Sequence, residues 1–237
     1  MFPIFLRPDA IMALEDPKVK KALPRYIKVV KDELPAKFRI AKRIGVEFEE
    51  GSEEELWNLH NQALEKFRNV QQEIDNGKLK FKDLKKPKQS LLDLKIELTK
   101  KLMECCTLCE RLCMVNRWKG EMGECRVGNK CLISSEFVHW GEEAWIVPSH
   151  TIFFMGCNFH CQYCQNYTIS QWYESGFHIS SRELGKRIES RRMAGCRNVN
   201  YVGAEPTPSL LWVLESLKYC NKNIPTFWNS TFGRTNL

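Results

Sequence analysis

The sequence lacks any uncharged apolar run approaching the roughly 18 residues that a membrane-spanning helix needs. The apolar stretch at its start is too short, and too interrupted by proline, to be the apolar region of a signal peptide. It also lacks the low hydrophobicity of a disordered chain, because 43% of its 237 residues are hydrophobic. These absences predict a folded cytoplasmic protein with no membrane partner.

Concentrated positive charge is missing as well, although the net charge is +7. Residues 1–100 carry a net +4, residues 101–150 carry −1, and residues 151–237 carry +4. This excess is dispersed, unlike the basic stripe of a nucleic-acid-binding protein, so nucleic acid is not an expected partner. A single basic run comprises Lys78, Lys80, Lys82, Lys85, Lys86 and Lys88. We interpret it as a solvated surface loop, with a polyanion contact as the alternative.

Cysteine, in contrast, is abundant. The chain has eleven cysteines, and nine of them lie between Cys105 and Cys164. An odd number of cysteines without a signal peptide argues against a disulfide framework. Structural thiols of a core would be spread along the chain, whereas metal ligands gather. The distribution therefore indicates metal binding.

The pattern along the chain predicts three segments. Residues 1–104 form a helical extension, in which a capping box at Ser52 and Glu55 begins one helix and residues 91–102 form another. Residues 105–150 form a Cys-rich metal-binding segment, of which residues 105–135 lack periodicity and fit a loop-dominated metal knuckle. Residues 151–237 alternate strands at 151–155, 198–202 and 226–228 with helices at 181–194 and 208–219. This alternation predicts an α/β fold with parallel βα units, whose ligands gather at the carboxyl ends of the strands.

The clearest chemical motif is Cys157-x3-Cys161-x2-Cys164, which follows the first of these strands. Three close thiolates can bind three irons of a [4Fe–4S] cluster and leave the fourth iron without a protein ligand. That open iron can bind the methionyl part of S-adenosylmethionine (SAM) and deliver an electron to its sulfonium. The alternative is a zinc site that borrows a distant ligand such as His150 or His160.

This motif resembles that of the radical SAM superfamily, in which an aromatic residue precedes the last cysteine, as Tyr163 does here. The resemblance implies that Tyr163 packs near the adenine of SAM. The segment Gly203-Ala204-Glu205-Pro206 resembles the family's GGE-type element, which implies that Gly203 and Glu205 meet the SAM amino group. The family fold is a partial (β/α) barrel of six strands, of which this chain would hold about three.

A narrower resemblance is to proteins related to pyruvate formate-lyase activating enzyme, in the branch with a Cys-rich segment before the core. It rests on Cys106-x2-Cys109-x3-Cys113-Met-Val-Asn116-Arg117, Gly123-Glu-Cys125, His139-Trp-Gly-Glu142-Glu143, Thr151-Ile-Phe-Phe and Cys164-Gln165-Asn166. Cys106, Cys109, Cys113 and Cys125 are enough for a second metal site. There are three alternatives for these four cysteines: they bind a structural zinc, they bind a second iron–sulfur cluster, or they are thiols that bind no metal.

The resemblance implies a radical SAM enzyme that abstracts hydrogen from a protein or small-molecule substrate and takes electrons from a reductant such as ferredoxin or flavodoxin. A glycyl-radical activase is one form of that enzyme. No residue is assigned as catalytic. Because only about three strands of the family core are predicted, we expect a truncated core that binds SAM weakly. The alternative function is therefore a catalytically incomplete fragment that binds metal or transfers electrons.

Overall fold

The computed structural model describes residues 7–173 and 176–230. The expectation that the first residues do not form a signal peptide therefore falls almost entirely outside the described residues. The extension begins with four short helices, and three of them carry proline in their first turn, where its missing N–H breaks no hydrogen bond. These helices are α1 (Pro8–Ala13), α2 (Pro17–Ala22), α3 (Pro24–Val30) and α4 (Lys37–Ala41).

The two longer predicted helices are confirmed as α5 (Glu53–Asp75) and α6 (Leu91–Glu104). Both begin with a capping box, in which a serine hydroxyl and an acidic side chain each accept a hydrogen bond from the other residue's backbone N–H. At the start of α5, Glu55 N–H donates to Ser52 Oγ at 3.2 Å and Ser52 N–H donates to Glu55 Oε2 at 2.8 Å. The predicted cap therefore sets where the helix begins.

The described residues form one five-stranded sheet with the order β3-β1-β2-β4-β5. The strands are β1 (Leu132–His139), β2 (Ser149–Phe154), β3 (Phe177–His178), β4 (Asn198–Gly203) and β5 (Thr226–Trp228). As predicted, β2, β4 and β5 are parallel. The other two strands are antiparallel additions that the sequence did not predict.

Strand β1 adds to the three predicted strands of the core and corrects the expectation of loop structure over residues 105–135, because it begins at Leu132. Its sequence, LISSEFVH, has no clean alternation of apolar and polar residues, and only Ile133 is fully buried. The strand forms because β2 offers it a row of backbone hydrogen bonds, from Ile133 opposite Phe154 to His139 opposite Ser149. Part of the Cys-rich segment is thereby joined to the sheet of the α/β core.

Three further helices complete the described chain: α7 (Tyr167–Ser170), α8 (Ser181–Met193) and α9 (Leu210–Tyr219). Helix α9 packs against α8 and also against α6 of the extension. The apolar core is continuous across these elements and includes Leu102, Ile152, Val199, Leu211 and Leu217. The extension is therefore packed on the α/β core rather than tethered to it.

A partly buried ionic network joins β1, β2 and α8. Glu136 contacts His150 Nε2 at 2.6 Å and Arg191 Nη2 at 3.1 Å. The hydrogen bond from His150, and next that from Arg191, lower the pKa of Glu136 to about 2. Burial lowers the pKa of His150, which favours the neutral ring, and its buried Nδ1 has no hydrogen-bond partner among the described residues. Because His150 lies at the start of β2, at the far end from Cys157, it is not placed to share a metal with that residue.

Candidate metal centre

The carboxyl ends of the three parallel strands meet at one edge of the sheet. Phe154 at the end of β2 lies opposite Gly203 at the end of β4. At Gly203, where φ is 108°, an added Cβ would lie 2.4 Å from the backbone nitrogen of Phe154, so only glycine permits this approach. The segments that follow these strands carry Cys157 and Glu205, and they therefore emerge side by side.

The three cysteines of the motif come together in the loop after β2. Cys157 is buried, Cys161 and Cys164 are half-buried, and Cys164 N–H donates to the Cys161 carbonyl at 3.2 Å. Burial is the largest of the effects that raise the pKa of the Cys157 thiol to about 12, and the nearby Glu205, Cys164 and Cys161 contribute in the same direction. The structure thus brings all three predicted ligands and the predicted carboxylate within electrostatic reach of one another. Tyr163, in the same loop, is 89% exposed.

Glu205 is 1% exposed and its carboxylate is held by hydroxyl and amide donors. Thr207 donates to Oε1 through its hydroxyl at 2.6 Å and through its backbone N–H at 3.2 Å. Ser230, just beyond β5, donates to the same carboxylate at 2.9 Å. Sequence reasoning missed Thr207 and Ser230, although polar residues just past parallel strands were the available signal. These contacts fix the carboxylate at the carboxyl edge of the sheet.

The Cys-rich segment contacts the Cys157 loop through polar interactions that the sequence did not predict. Arg111 Nε donates to the carbonyl of the buried Asn158 at 2.8 Å, and the Asn158 amide donates to Glu110 at 3.0 Å. On the other side, His160 Nε2 lies 2.6 Å from Glu124 Oε1. His160 is therefore engaged with a carboxylate, an arrangement that gives no support to its role as a zinc ligand.

Backbone packing holds the same two segments together. Gly156, with φ at 85°, lies so close to the Cys-rich segment that an added Cβ would be 2.5 Å from both the Cys125 carbonyl oxygen and Val127 Cγ2. Tyr173 beyond the loop donates its hydroxyl to the Arg126 carbonyl at 2.6 Å. Residues on both sides of the cysteine motif, before it and after it, therefore contact the Cys-rich segment.

The second set of cysteines is only partly assembled. Burial raises the pKa of both Cys109 and Cys125, and Cys106 lies close enough to add to each shift. Cys113 is set toward Glu124, whose N–H donates to Cys113 Sγ at 3.5 Å. Three of the four predicted ligands therefore share one neighbourhood.

Within residues 7–173 and 176–230, no three His, Cys, Asp or Glu side chains converge on a point as a single metal ion requires. The zinc alternatives for both cysteine sets accordingly gain no support from the structure, because tetrahedral zinc needs its ligands around one centre. An iron–sulfur cluster differs, since each cysteine binds a separate iron and the sulfurs need not meet at one point. Soft, closely grouped thiols beside a fixed carboxylate fit that kind of group.

A mixed α/β sheet that gathers three cysteines and a carboxylate beyond its parallel strands is the arrangement expected of a radical SAM protein. Residues 151–235 match the family model of the Radical SAM superfamily. Over this stretch the chain is similar to the Radical SAM superfamily.

Among curated proteins, the chain is similar to "Uncharacterized protein MJ0674" of Methanocaldococcus jannaschii, with 46% identity over 220 residues. The alignment covers 90% of this chain and 62% of that protein, so the chain spans about three fifths of its relative's length. No solved structure matches the chain significantly. No helix in the described part of the chain is long and apolar enough to cross a membrane.

Proposed function

We propose that Cys157, Cys161 and Cys164 hold a [4Fe–4S] cluster and that Glu205 orients SAM beside it. The observation that carries this proposal is the gathering of three thiols and one buried carboxylate past the ends of adjacent parallel strands. Together, the bound cluster and SAM supply one-electron cleavage of SAM to methionine and a 5′-deoxyadenosyl radical for hydrogen abstraction. The protein's part is to position both groups and to limit access of water.

Each side chain has a definite task in this proposal. The thiolates anchor the cluster, and Glu205, fixed by Thr207 and Ser230, accepts a hydrogen bond from the SAM ammonium group. The exposed ring of Tyr163 provides a surface on which adenine can stack. An aromatic ring left in water next to the thiols is consistent with that use.

The test is anaerobic reconstitution of the full chain, followed by iron analysis and electron paramagnetic resonance (EPR) of the reduced protein. The signal of the cluster should shift when SAM is added, and Cys161→Ala should abolish that SAM-sensitive signal. Cys105→Ala is the matched control, because Cys105 is an exposed cysteine outside both predicted sets. Unchanged iron content and an unchanged spectrum in Cys161→Ala would contradict the assignment.

We also propose that Cys106, Cys109, Cys113 and Cys125 hold a second iron–sulfur cluster that relays electrons to the first. Support comes from Arg117, which is 1% exposed and whose Nη1 has no hydrogen-bond partner among the described residues. This buried cation lies near enough to Cys125 to favour its thiolate, and metal-bound thiolates would supply the negative charge that it lacks. Asn158 adjoins both Cys109 and the Cys157 loop, so the two sites would be neighbours.

A variant with Cys157, Cys161 and Cys164 all replaced by alanine tests the second site alone. After reconstitution it should retain iron, measured against zinc by elemental analysis. Iron in this variant supports the relay cluster, whereas zinc would restore the structural alternative. A metal-free protein would return these four cysteines to plain thiols.

The finer activity that we propose is that of a glycyl-radical activase, with a protein substrate and a ferredoxin or flavodoxin as reductant. It rests on the resemblance of the Cys-rich segment and the core to the pyruvate formate-lyase activating branch. Formation of 5′-deoxyadenosine under strong reductant distinguishes this enzyme from the alternative, a metal-binding or electron-transfer protein. A glycyl-radical EPR signal in an added glycyl-radical enzyme would support the activase role specifically.

A further inference from the structure

A cavity of about 500 Å³ lies away from the candidate metal centre, between α4, the connector that carries the basic run, and the end of α9. Six cationic side chains line it, against one carboxylate, that of Asp93. The cations are Arg39, Lys42, Arg43, Lys86, Lys88 and Lys218. The last two lysines of the basic run thus face two arginines from the helical extension.

Two of the six cations are already engaged. Lys218 pairs with Asp93 at 2.6 Å. Lys42 Nζ donates to the carbonyls of Leu217, Lys218 and Cys220 at 2.8, 3.0 and 2.8 Å, where it caps the carboxyl end of α9. In the described ranges, the remaining four cations have no carboxylate within ion-pair distance. The cavity therefore carries a surplus of positive charge.

The two arginines are held in place by an aromatic ring. The Arg39 and Arg43 guanidinium carbons lie 4.9 and 5.5 Å from the centre of the Phe81 ring. Arg43 also donates to the Leu84 carbonyl at 3.3 Å. Arg39 is half-buried, and this burial lowers the pKa of its guanidinium group. Holding like charges together in a partly desolvated cavity costs free energy, which a bound anion would offset.

We propose that this cavity binds a small molecule that carries two or more phosphate groups. Guanidinium groups match phosphate oxygens with paired hydrogen bonds, and lysines at the rim add charge. The volume falls within the range of about 300–1,000 Å³ typical of small-molecule sites. A single phosphate would balance too little of the charge. A long nucleic acid is disfavoured because the basic residues line one cavity and do not continue as a stripe. This proposal is independent of the metal centre.

The test is isothermal titration calorimetry of the full chain with inorganic pyrophosphate at low ionic strength, with orthophosphate for comparison. We expect saturable one-to-one binding of pyrophosphate that is tighter than binding of orthophosphate. Arg39→Gln should weaken it about 10-fold or more, as loss of a charge-assisted hydrogen bond implies. Lys85→Gln is the control, because Lys85 belongs to the same basic run and is exposed but does not line the cavity.

A second variant keeps the test valid if Arg39→Gln does not fold. The double substitution Lys86→Gln and Lys88→Gln changes only exposed side chains and should also weaken pyrophosphate binding. Equal weakening by Lys85→Gln would overturn the proposal, because it would mean that general charge and not the cavity attracts the ligand. Tighter binding of a single-stranded oligonucleotide, with the same dependence on Arg39, would overturn the ligand class.

Discussion

Replacement of Gly156 by alanine would separate the cysteine motif from the segment that it packs against. The new Cβ would lie 2.5 Å from the Cys125 carbonyl oxygen and 2.5 Å from Val127 Cγ2. A carbonyl oxygen belongs to the backbone and cannot rotate away as a side-chain tip can. The Cys157 loop and the Cys-rich segment must therefore move apart.

The magnitude has two parts. A left-handed backbone at φ 85° costs an alanine about 1–2 kcal/mol, partly offset by the less flexible unfolded chain. Overpacking adds about 1–3 kcal/mol. We therefore expect Gly156→Ala to lower the free energy of unfolding by about 2–4 kcal/mol.

Gly120→Ala provides the matched control. Gly120 has φ 84°, almost the same as Gly156, but an added Cβ there meets no atom within 4 Å. It should therefore show the backbone cost alone, about 1 kcal/mol. The measurement is urea unfolding of both metal-free variants under anaerobic, reducing conditions. After reconstitution, Gly156→Ala should also bind less iron than Gly120→Ala.

Equal destabilisation by the two substitutions would refute the reasoning. It would mean that the Cys157 loop does not press on the Cys-rich segment. Packing of the Cys157 loop on the Cys-rich segment would then not help to form the metal centre.

Three further predictions concern hydrogen-bonded polar side chains. Glu136→Gln should lower the free energy of unfolding by about 3 kcal/mol at pH 6. Because the folded-state pKa of Glu136 is lowered to about 2, its stabilisation is full above pH 4.5 and is lost as pH falls toward 2. The difference from wild type should accordingly be about 2 kcal/mol smaller at pH 3, and a pH-independent difference would contradict the network. Arg117→Lys should cost about 1–3 kcal/mol in urea unfolding, since lysine cannot reproduce the bonds to the Gly128 and Pro208 carbonyls; no loss would contradict those bonds. Ser230→Ala should weaken SAM binding to the reconstituted protein about 3- to 10-fold, and unchanged affinity would argue against the proposed role of the carboxylate that it orients.

Local pattern was sufficient for much of the fold. The capping box at Ser52 and the apolar repeat behind it predicted α5 because both signals lie within a few residues of the chain. The strand at 226–228 was predicted with its observed bounds, since aromatic and β-branched residues there favour extended backbone. Strand β1 was missed because its stabilisation comes from pairing with β2, which no local pattern encodes.

The candidate site divides in the same way. The cysteine spacing and the order of strands were sufficient to place Cys157 and Glu205 at one edge, because parallel strands align their carboxyl ends. Whether Ser230 would reach Glu205, or Arg111 would reach Asn158, depended on tertiary structure. The same holds for the basic cavity. The sequence contains a run of lysines, and only folding brings two of them opposite Arg39 and Arg43, because side chains some 45 residues apart become neighbours only when their segments pack.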